Sequence, residues 1–133
     1  MTVLAGGAAV LSRRSGQDEL VIGVPSAKRG HRGMEELIGF FVTTLALRLD
    51  LAGAPSVSEL LGRTRRTVLA AQEFQDLAFE EVVEIVQPPR ALDHTSLFQV
   101  LLAWQNTTAG TFDLPGLRVE AAADGFDQVK FDL

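Results

Sequence analysis

One stretch, residues 37–51, restricts the fold of this chain more than any other. In its second half, leucines alternate with polar or small residues; these leucines are Leu45, Leu47, Leu49 and Leu51. A period of two over this length predicts a β-strand with one buried face. Residues 38–42 are apolar apart from Gly39, which predicts deeper burial at the start of the strand. A glycine inside a strand typically marks a bulge or the close approach of another backbone or a ligand.

The remaining elements follow from periodicity and from start and stop signals. Strands are predicted near residues 20–24, 40–50, 97–104 and 117–123, and helices near residues 2–14, 56–73 and 78–86. Pro25 is expected to end the first strand. Ser56 and Glu59 form a capping box for one helix, and Asp76 can cap the next. Trp104 is predicted to pack in the core. Together these elements predict an α/β fold with helices on one face of a mixed sheet.

Composition excludes several classes of function. The chain has 133 residues, enough for one domain with its own core. Its net charge of −5 gives no electrostatic basis for binding nucleic acid or an anionic membrane. It has no cysteine, which excludes disulfides, thiolate nucleophiles and cysteine-ligated metals. No apolar run is long enough to span a membrane, and we expect a cytoplasmic protein.

The histidines do not predict a catalytic or metal site. The chain has only His31 and His94, each in a predicted loop and without a nucleophile elbow. Two histidines so far apart in sequence also make a poor metal site. We therefore expect neither a catalytic triad nor a metal site in this chain.

Three stretches carry a resemblance to a known family. Residues 38–48 resemble the I-G-x-F-V-N-T-L-x-x-R motif of condensation domains from nonribosomal peptide synthetases. Residues 75–80 resemble that family's Q-D-x-P-F-E motif, and residues 90–100 resemble R-D-x-S-R-N-P-L-F-Q-V. Their order and spacing agree with the family, and flanking segments at 16–23 and 130–133 fit as well. The resemblance covers nearly the whole chain.

The resemblance implies a fold and an activity. Condensation domains have a chloramphenicol acetyltransferase-like fold, in which two lobes surround a tunnel. They join carrier-bound aminoacyl or peptidyl thioesters by amide formation. The first lobe holds their H-H-x-x-x-D-G motif, which does not occur in this sequence. Residues 1–133 are therefore expected to be a partial condensation domain, a segment of the C-terminal lobe that is inactive as an isolated chain.

The resemblance also implies partners. Substrates would arrive on the phosphopantetheine arms of carrier domains, and no cofactor would bind directly. An adenylation domain and the missing first lobe would be further partners, whereas nucleic acid and membrane would not be. Because an incomplete lobe leaves strand edges uncovered, the fragment is expected to self-associate or to be only marginally stable.

Eight residues are structural or tunnel-lining positions by resemblance. They are Arg29, Gly39, Phe41, Thr43, Gln75, Asp76, Phe79 and Arg90. Arg29 would be the family's arginine, which is thought to hold the aspartate of the histidine motif. The sequence departs from the family in places: Thr43 replaces an asparagine, Ala78 a proline and Ala91 an aspartate. These departures fit a divergent condensation domain or a relaxed remnant equally.

Two alternatives remain open from the sequence. The first is an epimerisation, heterocyclisation or acyltransferase relative of the same fold. The second is a non-catalytic remnant that binds a carrier protein or self-associates.

Overall fold

The computed structural model describes residues 1–27, 38–39, 41–89, 97–105 and 116–117. Within these ranges the chain forms an α/β structure of three helices and three strands. In chain order they are α1 (Thr2–Ser15), β1 (Glu19–Ala27), β2 (Val42–Asp50), α2 (Val57–Glu73), α3 (Phe79–Val86) and β3 (Val100–Leu101). The predicted helices are all present. None of the helices in the described part of the chain is long and apolar enough to cross a membrane.

The three strands form a mixed sheet in the order β2-β1-β3. β1 and β2 are antiparallel, and their pairing runs from Glu19 opposite Asp50 to Ala27 opposite Val42. β3 is parallel to β1 and pairs with it only at Ile22 and Gly23. β1 is therefore the central strand of the described sheet, and β2 lies at one edge.

One side of the sheet, which we call the inner face, carries the core. Because side chains alternate along a strand, the inner face holds Ile22 and Val24 of β1 together with the leucine series of β2. Leu4 and Ala8 of α1 pack on it, and so do Leu60, Val68 and Ala71 of α2. The alternation predicted from residues 45–51 is confirmed, because Leu47 and Leu49 are buried while Arg48 and Asp50 are exposed. α1 and α2 lie on one face, as predicted.

The opposite side, the outer face, is covered at Gly23. A Cβ atom on Gly23 would overlap the ring of Phe98 and lie 2.6 Å from its Cζ atom. Phe98 is itself only 4% exposed and contacts Phe79, the first residue of α3, with ring centroids 5.5 Å apart. β1 is therefore buried on both faces near its middle, and α3 reaches the outer face through Phe79.

The prediction that Pro25 ends the first strand is wrong, because β1 continues to Ala27. The carbonyl of Gly23 accepts a hydrogen bond from the Leu102 N–H at 2.8 Å, so the backbone of Gly23 points toward β3. Pro25, two residues on, points the same way. The N–H that proline lacks is therefore not needed for pairing with β2, and the antiparallel ladder passes through it unbroken.

The same proline limits β3 on its C-terminal side. A strand over residues 97–104 is predicted, but only Val100–Leu101 is paired. Extending the parallel ladder would require an N–H from residue 25, and proline has none. Trp104 lies beyond this point and is 68% exposed, so its predicted place in the core is wrong. Of the strand predicted near residues 117–123, only Leu117 is described.

Two further predictions are corrected. Ile38 is fully exposed rather than deeply buried, because the described pairing with β1 ends at Val42. Asp76 does not cap α3, which begins at Phe79 with Ala78 as the cap residue. The Glu81 carboxylate accepts a hydrogen bond from the N–H of this cap residue at 2.9 Å, so α3 satisfies one backbone donor at its start from within the helix.

Candidate functional site

The structure describes six of the eight residues that the resemblance singles out. Arg29 and Arg90 lie outside the described residues, as do His31 and His94. The described six are Gly39, Phe41, Thr43, Gln75, Asp76 and Phe79. They fall into two groups, one at the end of the β1–β2 ladder and one around α3.

The first group lies at what we call the hairpin end, defined by Ser26 and Ala27 of β1 and by Val42 and Thr43 of β2. Ser26 pairs with Thr43 across the ladder, so both side chains lie on the inner face. Thr43 is only 8% exposed. The Ser26 hydroxyl donates a hydrogen bond to Oε1 of Gln75 at 3.2 Å. The first and second motifs therefore meet at a serine that belongs to neither.

Gly39 and Phe41 precede the hairpin end. Gly39 is exposed, and a Cβ atom on it would lie 2.9 Å from Cε2 of Phe41. The sequence predicts a close approach to Gly39 by another backbone or a ligand. It comes instead from the ring of a residue two positions further along, and Phe41 itself is half-buried.

The second group joins the second and third motifs through the contact between Phe79 and Phe98. This contact depends on Gly23, which leaves room for the Phe98 ring on the outer face. Sequence reasoning did not single out Gly23 or Ser26. A glycine within an apolar strand is a signal that could have found Gly23, whereas Ser26 has no such signal. Asp76 is exposed in the turn between α2 and α3.

The charged contacts of the sheet lie at its other end. Arg48 donates to Glu19 through Nε and through Nη2, the latter at 2.7 Å from Oε2. This hydrogen bond lowers the pKa of the Glu19 carboxyl and raises that of Arg48. Arg63 binds the Asp50 carboxylate at 3.2 Å. At the hairpin end, by contrast, the polar side chains are the hydroxyls of Ser26 and Thr43 and the carboxamide that Ser26 binds, which suit hydrogen bonding rather than proton transfer.

A cleft of about 420 Å³ opens beside the hairpin end. It is lined by Val24, Pro25 and Ser26 of β1 and by Leu45 and Leu47 of β2. The start of α1, the last turns of α2, and residues 102 and 104 complete the lining. Its walls are mostly apolar, and Ser26 and Gln72 are among its few polar side chains. Ser26 belongs to both the cleft and the hairpin end. No group of metal-ligating side chains occurs among the residues that the structure describes.

Comparison with known protein families identifies the family to which this chain belongs. The family model for the condensation domain matches residues 1–133. The chain belongs to the condensation domain family. It is 58% identical over 133 residues to malpinin synthetase of Mortierella alpina, an alignment that covers all of this chain and 2% of that protein. The chain thus spans a very small part of the length of such relatives.

Solved structures agree with the family. The X-domain in a complex of the X-domain and OxyB from teicoplanin biosynthesis superposes with a TM-score of 0.84 at 28% identity, covering 98% of this chain and 28% of that chain. Holo-AB3403, a four-domain nonribosomal peptide synthetase bound to AMP and glycine, gives a TM-score of 0.77 at 28% identity, covering 80% of this chain and 8% of that one. The predicted α/β, chloramphenicol acetyltransferase-like fold of condensation domains is confirmed.

Proposed function

We propose that this chain is a segment of the second lobe of a nonribosomal peptide synthetase condensation domain. The complete domain would form an amide bond between two carrier-bound aminoacyl or peptidyl thioesters. The observation that carries the proposal is the family match over residues 1–133. The meeting of the first and second motifs at the hairpin end supports it, because residues far apart in sequence are held together there.

Amide formation requires functional groups that the residues of this chain do not supply. The amine of one substrate attacks the thioester carbonyl of the other, the phosphopantetheine thiolate leaves, and the amine proton is transferred to it. Holding the two groups in place can lower the barrier by about 7–11 kcal/mol, and a proton-transfer group can add about 10²–10⁴-fold in rate. Ser26, Thr43 and Gln75 are suited to the first task only. A histidine of the H-H-x-x-x-D-G motif in the other lobe would perform the second.

The partners in this proposal are the domains that carry and activate the substrates. Carrier domains would present both thioesters on phosphopantetheine, and a neighbouring adenylation domain would supply the activated amino acid. The similarity to a four-domain synthetase supports this arrangement. This chain would bind no cofactor of its own.

A domain swap tests the proposal. Residues 1–133 would replace the stretch of malpinin synthetase that they match, and the chimera would be mixed with loaded donor and acceptor carriers. We expect amide product, detected by mass spectrometry, at a rate within about tenfold of the parent, since 58% identity preserves the fold. The 133-residue chain alone, and a chimera with the motif histidine changed to alanine, should give no product. A folded chimera that binds both carriers but makes no product would contradict the proposal.

A second candidate function is a non-catalytic interaction module. It is supported by the similarity to an X-domain that was solved in complex with OxyB, which is a protein partner of that domain. In this case the chain would bind a carrier protein or another partner without forming a bond. The same chimera separates the two functions, because an interaction module would retain binding and lose product formation.

A further inference from the structure

We propose that the cleft beside the hairpin end holds the apolar side chain of an aminoacyl substrate, and that Val68 and Gln72 of α2 determine which side chains enter it. This inference rests on the proposed function and adds the class of side chain that the reaction accepts. It does not depend on the positions taken from the family resemblance, since none of the six that the structure describes lines the cleft.

The floor of the cleft is apolar strand surface that the helices leave partly uncovered. The central pair of the inner face, Ile22 and Leu47, is 2% exposed at each residue. The next pair toward the hairpin end, Val24 and Leu45, is only half-buried. Removing apolar surface from water is favourable, so this floor favours an occupant that is itself apolar.

Two helices form the walls above this floor. The start of α1, residues Met1–Leu4, lines the cleft together with Val68 and Gln72 in the last turns of α2. Trp104 completes the lining and is 68% exposed, so its ring is available for contact with an occupant. The volume of about 420 Å³ lies in the range of roughly 300–1,000 Å³ that is typical of small-molecule sites. The cleft is therefore large enough for a side chain the size of leucine.

No charged side chain is present among the described residues that line the cleft. Its polar side chains are those of Thr2, Ser26 and Gln72. The Ser26 hydroxyl already donates to Gln75, so it is left to act as an acceptor. A carboxylate or ammonium group that entered the cleft would lose water without gaining an opposite charge, which is unfavourable. The lining therefore selects against charged side chains as well as for apolar ones.

Val68 and Gln72 control different properties of the wall. They lie four residues apart and so on the same face of α2. Val68 is half-buried, and Gln72 is exposed. A larger residue at position 68 would reduce the space inside the cleft, whereas a charge at position 72 would attract the opposite charge at its edge.

The test uses the chimera described above with a series of loaded carriers. Leucyl, asparaginyl and aspartyl groups have similar shapes but are apolar, polar and charged, and alanyl is a smaller apolar group. Each is placed in turn on the donor and on the acceptor carrier, which identifies the substrate whose side chain the cleft holds. On that carrier we expect kcat/KM to be about tenfold higher for leucyl than for alanyl, and about a hundredfold higher than for aspartyl.

A substitution in the wall assigns this preference to the cleft. Val68→Phe should fill part of the cleft and lower the ratio of leucyl to alanyl kcat/KM about tenfold. Val57→Phe makes the same change at a position of α2 that is 78% exposed and outside the cleft, and it should leave the ratio unchanged. If Val68→Phe changes the ratio no more than Val57→Phe does, the inference is wrong.

A second variant changes the charge preference instead of the size. Gln72→Glu should raise kcat/KM for lysyl relative to leucyl about tenfold, because the new carboxylate supplies the missing partner for an ammonium group. Gln17→Glu, an exposed position before β1, is the matched control and should have no effect. Because Gln72 is itself exposed, this variant tests the inference even where Val68→Phe impairs folding. An unchanged ratio of lysyl to leucyl in Gln72→Glu would contradict the assignment.

Binding measured without catalysis separates this inference from the proposed function. Calorimetry should show that a non-hydrolysable phosphopantetheine amide of leucine binds the chimera about tenfold more tightly than that of aspartate, and that Val68→Phe removes the difference. A chimera that makes no product but shows this difference would contradict the proposed function and support the side-chain site. A chimera that makes product at equal rates from all the loaded groups would support the function and overturn the site.

Discussion

At the scale of single residues, Gly23 allows the two faces of the sheet to be packed differently. Ile22 faces the inner core, and Gly23 next to it leaves room on the outer face for the Phe98 ring. That ring in turn contacts Phe79 at the start of α3. Three segments distant in sequence therefore depend on the absence of one Cβ atom.

Replacing this glycine should destabilise the protein. The methyl group of Gly23→Ala would overlap the Phe98 ring, and overpacking of this kind costs about 1–3 kcal/mol. Gly6→Ala is the matched control, since a Cβ there meets nothing within 4 Å and alanine favours the helix by about 0.5–1 kcal/mol. Urea denaturation measures both free energies of unfolding. Equal midpoints for Gly23→Ala and the unsubstituted protein would show that the ring moves aside without cost.

A substitution at Thr64 should have the opposite effect and stabilise the protein. Thr64 is fully buried in α2, and its hydroxyl has no hydrogen-bond partner within the described structure. Thr64→Val keeps the shape and removes the unpaired polar group, so stability should rise by about 1 kcal/mol. Thr67→Val on the same helix, at a half-buried position, should change stability less. Thermal melts of the two variants are the measurement, and a lower Tm for Thr64→Val would contradict the expectation.

The candidate site shows how far single residues can be predicted. Thr43 and Gln75 could be chosen from the sequence because each lies in a motif. The contacts of Ser26 that link these two residues could not be predicted, because a serine near a strand end carries no local signal. The contact of Gly23 with Phe98 could not be predicted either, since it depends on two segments from opposite halves of the chain.

At the scale of elements, the capping box of α2 is the clearest local signal that the structure confirms. The Glu59 N–H donates to the Ser56 hydroxyl at 3.3 Å, and the Ser56 N–H donates to the Glu59 carboxylate at 2.8 Å. The hydrogen bond from the Ser56 side chain, followed by that from its backbone, lowers the pKa of the Glu59 carboxyl below its ordinary value of 4.5.

Ser56→Ala should therefore raise the pKa of Glu59 toward its ordinary value, since the side-chain bond is the larger cause. A lowered pKa in the folded state contributes stability above the unfolded-state value of 4.5, and this contribution is lost as the pH falls through the lowered folded-state pKa. The variant should be less stable at neutral pH, with a difference that shrinks in acid. Titration of Glu59 by NMR checks the shift, and an unchanged pKa would contradict it.

An element could be predicted where its signal lies within its own residues. It could not be predicted where its extent depends on which neighbouring strand it pairs with. The leucine alternation and the capping box are local patterns, and they placed β2 and α2 correctly. The proline rule failed at Pro25 because its outcome depends on which neighbouring strand the missing N–H would face. The C-terminal limit of β3 depends on the same fact, and so a rule applied to residues 97–104 alone could not give it.

At the scale of the whole molecule, the described structure leaves apolar surface and a strand edge uncovered. β2 pairs with a strand on one side only. Ile38, Ile85 and Trp104 are among the exposed large apolar side chains. Such surface typically marks contact with another chain or domain, or a liability to aggregate.

The isolated chain should consequently self-associate at micromolar concentration. Sedimentation velocity should show species larger than the 14.3 kDa monomer, and Trp104→Ser should shift them toward the monomer. Exposed Ser58→Ala serves as the control and should leave the distribution unchanged. A monomer that unfolds cooperatively would show that the chain is stable without a partner.

The separation in sequence between paired strands has a consequence for the order of folding. β1 and β2 pair along nine residues and only residues 28–41 separate them in the chain, so their ladder closes at a small cost in chain entropy. β3 reaches the same central strand only after α2 and α3, and it brings two paired residues. During synthesis the β1–β2 hairpin can form as soon as β2 has emerged, whereas β3 must wait for most of the chain. We therefore expect the described sheet to grow from the hairpin outward, with β3 as the last and most easily released of its three strands.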